Sequence, residues 1–221
     1  MALFKLENIK KRYGGDDAPF VLKGIDMEIN RGDFMALMGV SGSGKTTLMN
    51  IIGLLDVPSS GRYLIDGEDV SQMDDTTLST IRNRRVGFIF QSFYLIPYLN
   101  VLDNVLLPRF YSGEDMGSAR ERGLLLLDEF GMADKIKSRP SELSGGQQQR
   151  VAIARAMINE PGLILADEPT GQLDSSTSDM IMEYVSKLPD TGTAVLLVTH
   201  DSRTASYAGK TVRITDGLLD A

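Results

Sequence analysis

The chain has no cysteine at all, and a single histidine, His200, among its 221 residues. Without cysteine there are no disulfides and no cysteine-ligated metal centres, a composition that suits a reducing interior. No apolar run approaches the roughly 20 residues that a membrane-spanning helix requires. The start, Met1-Ala2-Leu3-Phe4-Lys5-Leu6-Glu7, lacks the basic head and apolar core of a secretory signal. A cytoplasmic protein is expected, one that works at a membrane only through a partner that spans it. Basic residues are also too few for broad nucleic-acid binding. Lys and Arg number 23 against 30 Asp and Glu, a formal net charge of -7, whereas neutralising phosphates takes clustered cations. Internal repeats, low-complexity tracts and flexible linkers are absent too. With 42% hydrophobic and 24% charged residues, the composition is ordinary for a globular protein, and the length fits one large α/β domain or two small ones.

What the chain does have is Gly39-Val40-Ser41-Gly42-Ser43-Gly44-Lys45-Thr46. This is G-x-x-x-x-G-K-[ST], the phosphate-binding P-loop. The short apolar run Phe34–Met38 before it reads as a strand, and Thr47-Leu48-Met49-Asn50-Ile51-Ile52 after it as a helix. Glycines let successive backbone N–H groups turn inward into an anion nest at a helix N-terminus. Lys45 then adds charge at the β- and γ-phosphates, and the Thr46 hydroxyl is suited to Mg²⁺, with Thr47 alongside. Nucleotide binding follows from this stretch; the fate of the nucleotide does not.

Around the P-loop, strands alternate with helices. Residues 3–29 alternate apolar and polar (Phe4, Leu6, Ile9, then Val21, Ile25, Met27, Ile29) around Gly14-Gly15-Asp16-Asp17, a strand-rich start with a loop in it. Arg62–Ile65 reads as a strand closed by the Asp66-Gly67 turn, Asp75 as the cap of a short helix carrying Leu78 and Ile81, and Val86–Phe90 as a buried strand. From Ser92 to about Pro140 the texture becomes helical, with Ser118-Ala119-Arg120-Glu121 as a capping box opening a helix to Phe130. Gly146–Ile158 is a helix apolar on most faces, and Asp174 or Ser175 opens another. Leu163–Ala166, Ala194–Val198 and Thr211–Ile214 resume the strand pattern. A doubly wound α/β core around a P-loop is expected.

Two further stretches carry chemistry. Leu163-Ile164-Leu165-Ala166-Asp167-Glu168 is a buried strand ending in two acids, which at that place must face a cation or water. In a P-loop enzyme Asp167 holds Mg²⁺ through its water shell, and Glu168 polarises the attacking water. Leu143-Ser144-Gly145-Gly146-Gln147 puts a serine and two glycines at a helix start, which makes a second anion site. One nucleotide does not need two phosphate cradles, so the second is expected to serve ATP bound to another copy.

The run L-S-G-G-Q followed by Gln148-Gln149-Arg150, with the P-loop and acid pair placed around it, resembles the signature of ATP-binding-cassette (ABC) ATPases. The resemblance covers essentially the whole chain. It implies a P-loop core with a parallel sheet, an N-terminal antiparallel β part and an inserted helical part: residues 1–91 and 160–221 as core, about 92–159 as helical subdomain. It implies that Tyr13 stacks on adenine, and that Gln91 senses Mg²⁺ and lines the partner-facing groove. It implies too that His200 is the switch histidine at the γ-phosphate and that Asp174 lies in the loop crossing the dimer interface. The family often has Asn where Gln172 stands. A homodimer around two Mg-ATP is implied, with Ser144, Gly145, Gly146 and Gln147 reaching the partner's nucleotide, and integral membrane permease subunits as partners. Asn50–Asp56, Gly87–Phe93 with Leu95-Ile96-Pro97, and Asn100–Val105 are most similar to the lipoprotein-release and macrolide-export group. The run Phe93–Leu99 falls where the family docks its partner's coupling helix, and also reads as core of the helical insertion. Alternatives are a soluble cassette of the iron–sulfur cluster assembly type and an importer subunit. A coiled-coil DNA-repair member has no room here, and the two-cassette translation factors do not match a single acidic cassette.

Overall fold

The computed structural model describes residues 2–112 and 115–220. β1 (Phe4–Arg12) and β2 (Phe20–Ile29) alternate buried and outward side chains and pair antiparallel, Phe4 opposite Ile29 and Leu6 opposite Met27. That alternation is what a sheet with one wet face requires. β3 (Phe34–Met38) is apolar on both faces and delivers the chain through the P-loop into α1 (Lys45–Ile52). β4 (Ser60–Ile65) takes the free edge of β1, and the short β5 (Glu68–Asp69) extends that sheet to the order β2-β1-β4-β5.

α2 (Asp75–Arg85) is capped by Asp74 and not by Asp75, correcting the expected start. Asp74 has the extended backbone that a cap needs and accepts the Thr77 N–H, which leaves Asp75 in the first turn. β6 (Val86–Phe90), α3 (Val101–Phe110) and α4 (Met116–Glu129) follow. Here too the start moves: the Asp115 carboxylate accepts the Ser118 N–H at 2.8 Å, and the Ser118 hydroxyl donates back to the Asp115 carbonyl. A carboxylate is the stronger acceptor, so the expected serine box gives way to it. α5 (Gly145–Met157), β7 (Leu163–Asp167), α6 (Ser175–Lys187), β8 (Ala194–Val198), the single-turn α7 (Ser202–Ala205), β9 (Lys210–Thr215) and β10 (Leu218–Leu219) complete the chain.

The second sheet has the order β10-β9-β3-β8-β7-β6, parallel from β9 through β6. Its strands feed two cores, one on each face, because side chains alternate along them. Leu37, Leu163, Leu165 and Leu196 pack with α1 and the antiparallel sheet, whereas Ala36, Ile164, Ala166 and Leu197 pack with α3, α4, α5 and α6. The helical region thus shares a core with one face of the sheet. α5 lies directly on β6, close enough that a Cβ on Gly87 would come within 2.4 Å of the Ala156 carbonyl oxygen.

Gly87→Ala is expected to destabilise the protein by about 1–3 kcal/mol, the cost of overpacking, measured by urea unfolding. Gly15→Ala, where nothing lies within 4 Å, should leave the midpoint nearly unchanged.

Candidate functional site

The parallel register brings the ends of four strands side by side: Leu37 is opposite Val198, Val198 opposite Asp167, and Asp167 opposite Phe90. The P-loop therefore leaves β3 next to Thr199 and His200 after β8, beside Asp167 and Glu168 at the end of β7, with Gln91 after β6. The crevice outside the carboxyl ends of parallel strands is where open α/β sheets take ligands.

The P-loop is shaped for a phosphate. A Cβ at Gly39 would meet the Ile214 carbonyl at 2.4 Å and Ser43 Oγ at 2.7 Å, and Gly42 and Gly44 have φ of +79° and +109°. α1 has no capping side chain, so its first N–H groups are left for an anion. Ser43 Oγ is buried with no hydrogen-bond partner among the described residues. Lys45 Nζ folds back onto the carbonyls of Gly39 and Val40, each at 2.8 Å. An N–H nest, a nearby ammonium and an orphaned hydroxyl fit a polyphosphate.

The half-buried Asp167 has its pKa raised, chiefly by burial and then by the charge of Glu168, with Lys45 pulling the other way. It is a carboxylate that gains from a cation. Thr46, Asp167 and Gln91 offer hydroxyl, carboxylate and amide oxygens. No cluster of three His, Cys, Asp or Glu occurs among the described residues. A hard cation here would complete its shell with phosphate oxygens and water, the habit of Mg²⁺.

Glu168 sits at φ +44°, a left-handed conformation that costs a non-glycine residue. Both carboxylate oxygens are engaged. Oε2 accepts the Thr199 hydroxyl at 2.9 Å, and Oε1 accepts the His200 backbone N–H at 2.8 Å and lies 2.5 Å from His200 Nδ1. Thr199 is fully buried, and its hydroxyl also accepts the Asp201 N–H. It is a part of the site that the motifs did not name. The only signal was a hydroxyl residue at the end of an all-apolar strand.

Two more side chains were missed, both on α5. Gln149, fully buried, donates from Nε2 to the carbonyls of Pro169 at 2.6 Å and Phe90 at 3.4 Å. It ties the residue after Glu168 to the residue before Gln91. Arg155 donates to the carbonyls of Phe93 at 2.8 Å and Tyr94 at 2.6 Å, on the other side of Gln91. Burial lowers the Arg155 pKa.

The structure keeps the remaining candidates elsewhere. Ser144 caps α5 and Gln147 returns the bond to its backbone, a complete capping box. Gly146 packs on Thr177, where a Cβ would come within 2.4 Å of Cγ2. Asp174 caps α6 and takes bonds from the N–H and hydroxyl groups of Ser176 and Thr177, which pull its pKa far down, the Thr177 hydroxyl most. Among the described residues no hydrogen bond links Ser144–Gln147 to the P-loop. Tyr13 is 53% exposed, with its hydroxyl on Asp56. One chain thus brings together the P-loop, Asp167, Glu168, His200 and Gln91, and leaves Ser144–Gln147 outside.

Residues 22–171 match the ABC transporter family. The chain belongs to that family. It is 49% identical to an uncharacterized ABC transporter ATP-binding protein, YknY, of Bacillus subtilis, covering 97% of this chain and 94% of that one. It is 45% identical to the lipoprotein-releasing system ATP-binding protein LolD of Aquifex aeolicus, covering 97% and 95%. The macrolide export ATP-binding/permease protein MacB of Syntrophobacter fumaroxidans is 48% identical over the whole chain, which spans 31% of MacB. The dimeric ABC transporter cassette MJ0796 superposes with a TM-score of 0.87 at 42% identity, covering 99% of this chain and 97% of that one. A post-hydrolysis state of the same cassette, bound to ADP and Pi, superposes equally well. The expected fold is the one found, and the chain is an ABC ATPase.

Burial and Glu168 raise the Asp167 pKa above its ordinary 3.8. Between those two values the native state holds more protons than the unfolded one, so stability falls as pH rises. Asp167→Asn should therefore stabilise the nucleotide-free protein at pH 7, with a gain that shrinks towards pH 4 in urea unfolding. A loss of stability at pH 7 would overturn this.

Proposed function

We propose that the chain is an ABC transporter subunit that dimerises head to tail around two ATP molecules and drives an integral membrane permease. The observation that carries the reading is the gripped carboxylate of Glu168 beside one phosphate cradle, with the signature cradle left outside. ATP places its β- and γ-phosphates in the P-loop nest, and Lys45 moves from the Gly39 and Val40 carbonyls to the phosphate oxygens. Thr46, Asp167 and Gln91 would hold Mg²⁺, which supplies charge neutralisation at the phosphates. Glu168 accepts a proton from the attacking water as its oxygen bonds to the γ-phosphorus. The bond to the β-phosphate oxygen breaks and ADP leaves. His200 turns from Glu168 to the γ-phosphate. Ser144, Gly145, Gly146 and Gln147 of the partner close the pocket, and loss of the γ-phosphate lets the dimer open.

The permease reading rests on a groove of about 670 Å³ lined by Leu55, Phe88, Phe90, Tyr94, Pro108 and Tyr111 among others. In the run Phe93–Leu99, Tyr94 and Tyr98 are 66% and 75% exposed, which favours a docking role over a core role. No helix among the described residues is long and apolar enough to cross a membrane. The names of LolD and MacB favour lipoprotein release or macrolide-type export over an importer or a cluster-assembly cassette, with the cassette at the inner face of the cell membrane.

Glu168→Gln should retain ATP binding and shift to a dimer with ATP in size-exclusion chromatography, while turnover falls at least about 100-fold. Near wild-type hydrolysis would remove Glu168 from the catalytic role. A cysteine at Tyr98 should crosslink to a membrane partner; crosslinking to soluble scaffold proteins alone would favour cluster assembly.

A further inference from the structure

We propose that Lys11 and Asp56 form a brace that fixes the Tyr13 ring as a preset platform for the nucleotide base, making both residues positioning residues for ATP. The inference rests on the reading that Tyr13 stacks on adenine.

Asp56 holds three partners at once. Its Oδ2 accepts the Tyr13 hydroxyl at 2.8 Å, and its Oδ1 accepts Lys11 Nζ at 2.5 Å and the Val57 N–H at 2.8 Å. Lys11 Nζ donates also to the Val57 carbonyl and stands 4.8 Å from the centroid of the Tyr13 ring. Lys11 is only 8% exposed, although it lies on a strand whose other lysines reach water. Burying an ammonium costs solvation that an ion pair seldom returns as stability. Here the buried charge has a directional effect, because the ring is gripped at its hydroxyl and backed by a cation on one face. Tyr13 stays 53% exposed, so ring surface remains for a base.

The location matters as much as the grip. Asp56 lies just past the end of α1, its own N–H bonded to the Asn50 carbonyl. The ring is thereby registered to the C-terminal end of the helix whose N-terminus forms the phosphate cradle. An unbraced surface tyrosine would lose rotamer freedom when a base stacked on it, and the brace removes that cost beforehand. Burial alone would raise the Asp56 pKa, but the bonds from Lys11 and Tyr13 outweigh it and the net shift is downward. The carboxylate therefore stays ionised near neutral pH.

The test compares a probe that has a base with one that has none. ATP and inorganic tripolyphosphate affinities, and the KM and kcat for ATP, are measured on the full chain for Tyr13→Ala, Asp56→Asn and Lys11→Met. Stacked bases lose about tenfold or more in affinity when the aromatic is removed, so Tyr13→Ala should raise the KM for ATP by that factor. Asp56→Asn and Lys11→Met should raise it about three- to tenfold, with kcat at saturating ATP and tripolyphosphate affinity within twofold of wild type. If Tyr13→Ala weakens ATP but the other two do not, the brace is wrong and the platform stands. If Tyr13→Ala leaves the KM unchanged, the platform reading fails and the brace falls with it. If Asp56→Asn and Lys11→Met weaken ATP and tripolyphosphate equally, the pair acts through the fold alone, which overturns the proposal.

Discussion

The lateral hydrogen bonding of β3, β8, β7 and β6 is the constraint on which the rest depends. Each strand is short and apolar on both faces, so it is stable only when covered above and below, and only in one register. That register aligns four strand ends. Residues separated by more than 150 positions in the chain, Gly39 and His200, thereby reach one crevice. A one-residue slip would exchange the two cores, setting Leu37 and Leu165 against the helices and Ala36 and Ala166 against α1. Both layers of the molecule therefore enforce the same alignment.

Local chemistry was legible where it is contiguous. The P-loop, the acids at the end of β7 and the Ser-Gly-Gly helix start each carry their meaning within a few residues, because an anion nest or a strand-end carboxylate is a local object. Helix starts were less legible. Asp74 and Asp75 are both good caps, as are Asp115 and Ser118, and only the backbone conformation chooses between them. Composition cannot rank two acceptors that differ by the φ and ψ of their own residue.

What escaped the sequence was non-local polar contact. Thr199 reaches Glu168, Gln149 reaches Phe90 and Pro169, and Lys11 reaches Asp56, at separations of 31, 59, 20 and 45 positions. Each is a buried polar group whose partner exists only after the chain folds. Such groups read as ordinary until the fold supplies the acceptor. They differ from motif residues in another way as well, since most of them hold backbone carbonyls or other side chains in place and are not themselves aimed at a ligand.

The two side chains of α5 that hold carbonyls on either side of Gln91 make this helix a lever. Its 13 residues span about 20 Å, with Ser144 at one end and Arg155 near the other. A rigid rod of that length turns a tilt of about 5° at the Arg155 end into a displacement of nearly 2 Å at Ser144. Hydrogen bonds tolerate only a few tenths of an ångström. A small tilt at the groove end would thus be carried, enlarged, to the end of the rod that Ser144 caps.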